Sequence, residues 1–521
     1  MKKILKLSLV FIMMATLLVG CGPSGGGSTA ETVEDFTFIS RINGDPTNFH
    51  PDMRADDNAW PINQNVFNRL VKLGPKDNVL PDLAYEWYFN EDSTVLTFKL
   101  HEGVKWHDGE LLTSADVKWT YETMFEESWR SSVSLASIDT IETPDDYTVV
   151  MNLKYPDAGI ISQLSWYATF IMPKHLYEGT DQATNPYNQA PVGSGPFKFV
   201  SWDKGVSVTL ERNDEFFGDK PHIKTLIFSI IPEEATAYQA LLNGEIDYMG
   251  AVPATEVGKL EGNSDFNLIR TLGINRTYVT FNWEDPIVGD PLVRRAIAHA
   301  INQQSIYDRV GGAGQKCTTF LSPVFTDFVD ENYLLPETDL AKAEALLQEA
   351  GYTKNADGFY FDITLTFFKS SNWEDVVAII KANLAEVGIN VNIEMMEVAA
   401  WQTKVMDNDD FQVTMLAGYQ GPDVSGIGGR VETGGSTNIA NYSSPEMDAL
   451  IHAGKSTTDL EERKVIYSEI QRIMEEEMMM VLLLDNGYEY ALNSSYTGFP
   501  IQVPDKAASS EFTYVEKFAD K

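Results

Sequence analysis

The chain has 521 residues, 43% of them hydrophobic, and a formal net charge of −37 at pH 7. This length predicts two or three domains, and the acidity argues against a nucleic-acid partner, because nucleic-acid binding needs a basic face that neutralises phosphates. The two cysteines, Cys21 and Cys317, are too few for a disulfide framework.

The first twenty residues have the composition of a secretory signal. Lysines at positions 2, 3 and 6 precede an apolar stretch over residues 7–19, which is too short to span a bilayer comfortably. The stretch closes with Leu-Val-Gly-Cys, which resembles the lipobox of bacterial lipoproteins. The resemblance implies cleavage before Cys21, a diacylglycerol thioether on its sulfur and often an acylated amine. A plain cleaved signal peptide is the alternative.

Residues 21–35 predict a flexible tether, because they are small and polar and then acidic. The first regular elements follow it. Residues 94–100 alternate polar and apolar side chains and predict a half-buried strand, Asp108 and Gly109 predict a turn, and residues 114–125 have helical spacing with Ser114 as the N-cap.

The second half of the chain contains clearer helical patterns. Residues 339–350 and 373–387 predict helices that end before Gly351 and Gly388, and the second of them runs into an alternating strand at 389–395. A further amphipathic helix is predicted over 460–477, followed by a buried strand at 478–484. Helix, glycine and strand in this order indicate an α/β layer.

The candidate motifs for catalysis and metal binding are incomplete, absent or located in segments that cannot support them. Residues 22–26 fit G-x-S-x-G but lie in the predicted tether, where no strand-to-helix elbow can form. Residues 311–318 lack the Gly-Lys step of a phosphate loop, because Gln315 separates Gly314 from Lys316, and H-E-x-x-H and C-x-x-C do not occur. We therefore predict no catalytic residues, no metal site and no cofactor, with a secreted hydrolase as the alternative class.

Three longer blocks occur in order along the chain. They are LTFKLHEGVKWHDGELLTSADVKWTYE at 96–122, a segment at 191–248 that contains PVGSGPFKFVSWDKG, and DPLVRRAIAHAINQQSI at 290–306. Together they resemble the bacterial extracellular solute-binding proteins of family 5, the oligopeptide, dipeptide and nickel receptors of ABC importers. The resemblance extends over nearly the whole chain after Cys21.

The resemblance implies an α/β, periplasmic-binding-protein-like fold of class II, cluster C, with two lobes and an extra inserted domain. The ligand would lie between domains I and III, with hinge strands near Phe281 and Ala491. The implied divisions are a signal peptide at 1–20, the tether at 21–35, domain I at 36–73, 191–280 and 492–521, domain II at 74–190, and domain III at 281–491.

The same resemblance implies which residues bind the ligand. Asp423 is the carboxylate nearest to the place where peptide receptors bind the peptide ammonium, although Gly421 replaces the acidic residue expected before Pro422. Arg430 would bind the peptide carboxylate. A turn acceptor and a structural arginine are their alternatives, and core packing is the alternative for Trp401. The remaining implied ligand-binding residues are Trp401, Tyr419, Asn282, Trp283, Asn43 and Asn65.

The implied function is that of a lipid-anchored substrate-binding subunit of an ABC importer. It would work as a monomer on the extracytoplasmic face of the cell membrane, capture oligopeptides and deliver them to the permease and ATPase subunits. Anchoring through Cys21 would keep it within reach of the permease. The alternatives are another solute, such as an oligosaccharide or a nickel chelate, and a receptor that signals to a membrane sensor.

Overall fold

The structure is a computed structural model that describes residues 32–52, 56–74, 78–166, 169–370, 372–503, 506 and 510–519. The predicted signal peptide, Cys21 and residues 22–31 of the predicted tether lie outside these ranges. In the part of the chain that the structure describes, no helix is long and apolar enough to cross a membrane.

Strands and helices alternate along most of the chain. The strands are β1 (Thr32–Val33), β2 (Phe36–Ile42), β3 (Val71–Leu73), β4 (Val79–Pro81), β5 (Ala84–Phe89), β6 (Val95–Leu100), β7 (Ile138–Asp145), β8 (Thr148–Leu153), β9 (Phe197–Asp203), β10 (Ser207–Arg212), β11 (Ile223–Ile230), β12 (Tyr248–Gly250), β13 (Phe266–Phe281), β14 (Gln315–Lys316), β15 (Phe361–Phe368), β16 (Ile389–Met396), β17 (Val413–Tyr419), β18 (Met480–Asn493), β19 (Tyr496–Thr497) and β20 (Glu516–Phe518). The helices are α1 (Trp60–Val66), α2 (Ser114–Glu126), α3 (Ile160–Ser165), α4 (Lys174–Tyr177), α5 (Glu234–Leu242), α6 (Ala254–Leu260), α7 (Pro291–Ala300), α8 (Gln303–Val310), α9 (Leu340–Glu349), α10 (Trp373–Glu386), α11 (Val398–Trp401), α12 (Gly428–Val431), α13 (Pro445–Ser456) and α14 (Leu460–Glu477).

Most predicted elements are confirmed, with differences at their ends. The strand predicted at 478–484 begins at Met480 and continues to Asn493, because Met478 ends α14 in the left-handed conformation. The N-cap of α2 is Thr113 rather than Ser114, because Thr113 and Asp116 form a reciprocal capping box. The described end of the predicted tether is ordered, since Thr32 and Val33 pair with β20 and Asp35 forms an ion pair of 2.6 Å with Arg212.

The largest sheet is held together by two long antiparallel strands, β13 and β18, called here the crossing strands. Its order is β16-β15-β17-β13-β18-β12-β2-β11-β10-β9, with β14 added to β18. β17 pairs with β13 from Asn275 to Phe281, whereas β12 pairs with β18 at its far end, from Tyr490 to Leu492. The crossing strands therefore join a first lobe, containing β12, β2, β11, β10 and β9, to a second lobe, containing β17, β15 and β16.

Pairing between the crossing strands is interrupted between Leu272 and Arg276, and this interruption is called the strand break. It lies away from Phe281 and Ala491, where the hinge was predicted, and both of those residues are paired within strands.

Close contacts of two glycines explain the location of the strand break. A Cβ atom at Gly273 would lie 2.5 Å from the Tyr488 ring, which would have to move, and one at Gly487 would lie 2.3 Å from a backbone oxygen, so a larger residue does not fit at Gly487.

A buried ion pair lies directly beyond the strand break. Arg276 Nε lies 2.6 Å from Asp485 Oδ1, and both side chains are only 1% exposed. The remaining guanidinium nitrogens donate to the carbonyls of Thr319 and Phe320, at 2.7 and 2.8 Å. Asp485 also accepts from Cys317 Sγ, and burial raises the pKa of that thiol to about 12. These partners satisfy a charge pair that would otherwise be costly to bury.

Separate apolar clusters fill the lobes and a third unit. The four-stranded sheet β5-β6-β8-β7 packs against α2 around Phe98, Tyr121 and Met151. The first lobe packs around Phe38 and β11, and the second lobe packs around β13, β15 and β17. The division into domains at the residue numbers given above stays a prediction.

We expect Asp485→Asn to lower the free energy of unfolding by about 3 kcal/mol or more, because it leaves the Arg276 charge buried without a counter-charge. Urea denaturation measures this loss. The matched control is Glu215→Gln, which removes an exposed ion pair with Lys105 and should cost less than about 1 kcal/mol. Equal, small losses in the two variants would contradict a structural role for the buried pair.

Candidate ligand-binding site

A pocket of about 330 Å³ lies against the strand break. The crossing strands form one side of it through residues 271–274 of β13 and through Tyr488 and Tyr490 of β18. The other sides come from several distant segments of the chain. Their lining residues are Trp60, Leu73, Gly74, Trp166, Tyr248, Phe499, Pro500, Ile501 and Ser510.

Aromatic side chains dominate the lining. Tyr248 stacks on Tyr490 with ring centroids 6.0 Å apart, and the centroid of Phe499 lies 4.7 Å from that of Tyr248. Tyr488 lies 6.4 Å from Tyr490 on the same face of β18, because residues two apart in a strand point the same way. We refer to the six aromatic residues of the lining as the aromatic wall: Trp60, Trp166, Tyr248, Tyr488, Tyr490 and Phe499.

A buried arginine supports two members of the aromatic wall from behind. The Arg69 guanidinium carbon lies 4.9 Å from the Trp60 ring centroid and 3.7 Å from that of Phe170. Its Nε donates to the carbonyl of Trp166 at 3.1 Å. These contacts combine cation–π attraction with a charge-assisted hydrogen bond and fix the positions of both tryptophans.

Arg69 belongs to a group of four buried charged residues, called the buried charge cluster: Arg69, Lys72, Asp82 and Glu511. Lys72 Nζ lies 2.7 Å from Glu511 Oε2, and Asp82 accepts from the backbone N–H of Arg69 at 2.6 Å. Burial raises the pKa of Asp82 to about 6 and lowers that of Arg69 to about 10. Two cations and two carboxylates compensate one another behind the wall, so the cluster adds no net charge when all four are ionised.

Asn65, predicted to bind ligand, instead holds the chain segment that closes the pocket. Its amide nitrogen donates to the carbonyls of Pro61 and Ser510, at 2.7 and 2.9 Å, and its oxygen accepts from the backbone N–H of Phe512 at 3.0 Å. The side chain is fully buried. Asn65 therefore positions Ser510, which lines the pocket, and has no group directed to a ligand.

Asp423, predicted as the peptide-ammonium partner, forms a buried ion pair in the structure. Its Oδ1 lies 2.6 Å from Arg463 Nη2 and also accepts from the backbone N–H of Ser425, and its Oδ2 lies 3.2 Å from Arg463 Nη1. The side chain is buried. Its contact with Ser425 agrees with the turn-acceptor alternative, and ammonium binding by Asp423 stays a prediction.

Arg430 is also buried inside the protein, and its binding of a peptide carboxylate stays a prediction. Its Nε donates to the Tyr278 hydroxyl at 3.2 Å, and its guanidinium lies 5.2 Å from the Tyr278 ring centroid. The side chain is 7% exposed and also lies close to Gly418. These contacts pack Arg430 against the paired strands β13 and β17.

Trp401 packs in the core of the second lobe. It is 5% exposed, donates from Nε1 to Thr414 Oγ1 at 3.0 Å and meets the Phe368 ring edge-on at 5.1 Å. The core alternative for this residue therefore holds. The distance in sequence between Trp401 and the preceding strand could not decide between core packing and ligand contact. A short helix after a strand can direct an aromatic side chain either inward or outward.

The Asn282-Trp283 pair is structural as well. Asn282 donates to the carbonyls of Asp409 and Phe411, at 3.0 and 3.1 Å, and accepts from the backbone N–H of Glu284. The Trp283 ring packs on Tyr442 at 4.6 Å and under the Arg294 guanidinium at 3.7 Å. Both residues are thus engaged within the second lobe, away from the pocket.

The two remaining predicted residues stay predictions. Asn43 is exposed and does not line the pocket. The backbone of Tyr419 pairs with Asn275 beside the strand break, and its side chain lies outside what the structure describes.

The aromatic wall was missed in the sequence, although part of it carries a readable signal. Tyr488 and Tyr490 stand two apart in a strand-forming run, which predicts one shared face. The other four members come from separate segments, and no local pattern indicates that they meet.

Comparison with known proteins places the chain in a family. The family model described as "Bacterial extracellular solute-binding proteins, family 5 Middle" matches residues 78–427. A putative ABC transporter peptide-binding protein of Brucella ovis is 30% identical over 81% of this chain and 82% of its own length. The oligopeptide-binding protein AppA of Bacillus subtilis is 28% identical over 85% of each chain.

Solved structures agree on the fold. The ABC transporter substrate binding protein CtaP of Listeria monocytogenes matches with a TM-score of 0.83 and 25% identity, over 92% of this chain and 99% of its own. AppA of Bacillus subtilis in complex with a nonapeptide matches with a TM-score of 0.71 and 25% identity, over 91% and 98%. The predicted α/β, two-lobed fold of the periplasmic binding proteins is confirmed.

We expect Asp423→Ala to lower the free energy of unfolding by about 3 to 5 kcal/mol, because it leaves Arg463 buried without its counter-charge. Urea denaturation measures the loss. Adding Arg463→Met should recover most of it, since an apolar side chain can pack on Phe328 and Tyr467, over which the guanidinium now lies. An Asp423→Ala variant as stable as the parent chain would show that the ion pair does not stabilise this region.

Proposed function

The chain belongs to the bacterial extracellular solute-binding proteins of family 5, and we propose that it is the lipid-anchored subunit that captures oligopeptides for an ABC importer. The observation that carries the proposal is the pocket at the strand break, where one ligand can touch the crossing strands and the first lobe together. The printed names of the relatives, which include peptide-binding and oligopeptide-binding proteins, supply the ligand class.

The backbone beside the pocket suits an extended peptide. β17 pairs with β13 only from Asn275 onward, so within the described residues the edge of β13 at 271–273 has no strand partner on that side. An extended peptide can add to such an edge through main-chain hydrogen bonds, which do not depend on its sequence. The side chains of the peptide then enter neighbouring pockets, and the aromatic wall forms one of them.

Capture and release require the lobes to separate without great cost. Within the described residues, direct contacts between the four-stranded sheet unit and the second lobe include two hydrogen bonds. The N–H of Ala158 donates to the Lys455 carbonyl at 2.8 Å, and the hydroxyls of Ser93 and Thr458 lie 2.9 Å apart. Such contacts are individually weak. A ligand that bridged the lobes would add to these contacts and favour the closed form, and its loss would favour opening.

The anchor would keep the protein close to its transporter. Ten residues lie between Cys21 and Thr32, where the described chain enters strand β1. A fully extended segment of that length reaches roughly 40 Å at most, so the body would stay near the outer face of the membrane. This proximity raises the effective concentration of the loaded protein at the permease. The protein would act as a monomer and a carrier, and it would not alter the peptide.

One purification tests both parts of this proposal. We expect the chain extracted from bacterial membranes to carry a diacylglycerol on Cys21 and to release peptides of several sequences when it is denatured. Mass spectrometry of the intact protein and of the released fraction measures both.

The Cys21→Ser variant is the matched control for the anchor, and it should carry peptides without lipid. An unmodified Cys21 would contradict the anchor. A released fraction that consists only of glycans or nickel chelates would contradict peptide capture, and steady cleavage of added peptides by clean protein would indicate a hydrolase.

A further inference from the structure

The polar side-chain groups in the described lining of the pocket at the strand break are hydroxyl and indole N–H groups. Six of its fifteen lining residues form the aromatic wall, five more are aliphatic or proline, two are glycine, and only Thr271 and Ser510 carry hydroxyl groups outside the tyrosines. None of these lining residues is Asp, Glu, Lys or Arg. A charged side chain entering from water would lose its hydration there without gaining a counter-charge.

The charged residues nearby do not change this balance. Arg69 and Lys72 are already matched by Asp82 and Glu511 in the buried charge cluster. Asp423, which the sequence suggested as the acidic recognition group, is paired with Arg463. Charge on a ligand side chain therefore finds no lining partner in the described part of this pocket.

The size of the pocket sets what it can hold. Its volume of about 330 Å³ lies at the low end of the range for small-molecule sites, roughly 300–1,000 Å³. That space is too small for a whole peptide and suits one bulky side chain. An aromatic guest can stack or meet edge-on with several members of the wall at once.

We propose that this pocket is the selectivity site of the carrier, and that it selects peptides that present an uncharged aromatic or large aliphatic side chain. This inference rests on the proposed function, since it names the peptides that the same site prefers.

Gly273 is the positioning residue for this selectivity. Its missing side chain lets the Tyr488 ring lie across β13, because a Cβ atom at this position would stand 2.5 Å from Tyr488 Cε2. An alanine here forces the ring to move and changes the shape of the wall. The change acts on the guest side chain and leaves the main-chain edge of β13 in place.

Titration calorimetry with synthetic peptides tests the proposal. The sample is the lipid-anchored full chain in detergent, from which bound ligand has been removed. The probes are alanine peptides of five and nine residues in which one position, moved along the peptide, is Trp, Leu, Lys, Asp or Ala. At one position or more, we expect the Trp and Leu peptides to bind at least tenfold tighter than the all-Ala peptide. The Lys and Asp peptides should bind no tighter than all-Ala.

Two variants locate the preference in this pocket. Gly273→Ala should reduce the Trp-to-Ala affinity ratio at least threefold. Gly258→Ala is the matched control, since Gly258 lies exposed on α6 with nothing within 4 Å of an added Cβ, and it should leave the ratio unchanged. The ratio is informative because unfolded protein lowers the apparent affinities for the Trp peptide and the all-Ala peptide by the same factor. That factor cancels in the ratio.

The possible outcomes distinguish the selectivity of the pocket from the capture of peptides in general. Equal binding of all peptides, or tightest binding of the Lys or Asp peptides, would overturn the selectivity and leave peptide capture standing. An unchanged ratio in Gly273→Ala would overturn the assignment to this pocket. Failure of every peptide to bind would overturn the proposed function and the selectivity with it.

Discussion

The buried ion pair between Arg276 and Asp485 is the constraint on which the rest of the structure depends. It ties β13 to β18 just beyond the point where their pairing is interrupted, and the pairing shifts by one more residue between Thr277 and Tyr278 before the strands continue into the second lobe. The three residues 273–275 of β13 stand opposite a single residue of β18, and this mismatch creates the strand break. The pocket is lined by residues 271–274 of β13, at this break.

Around the pocket, charged residues support the lining, whereas the described lining itself is uncharged. Charged groups lie behind the aromatic wall, where Arg69 holds Trp60 and Trp166 and is balanced by carboxylates. The described lining of the pocket contains aromatic, aliphatic, glycine and hydroxyl-bearing residues and no Asp, Glu, Lys or Arg. Aromatic and aliphatic contacts of this kind tolerate ligands of different sequence.

The sequence was sufficient for the fold and insufficient for the site, and particular residues explain the difference. The helices before Gly351 and Gly388 follow from local periodicity and stop signals, and the three sequence blocks indicate the family over nearly the whole chain. The role of Asp423 depends on Arg463, forty residues later, and that of Asn65 on Phe512, at the other end of the chain. Contacts between such distant segments follow from tertiary packing, which no local pattern contains.

Amide hydrogen exchange, measured with and without a saturating peptide mixture, tests the central claim most directly, because it reports protection along the backbone. If ligands bind at the strand break, residues 271–274 and 488–490 should exchange more slowly in the presence of peptide. The remote strands β9 and β10 should show no comparable change. Protection confined to other segments, with 271–274 and 488–490 unchanged, would contradict the assignment of the ligand site to the crossing strands.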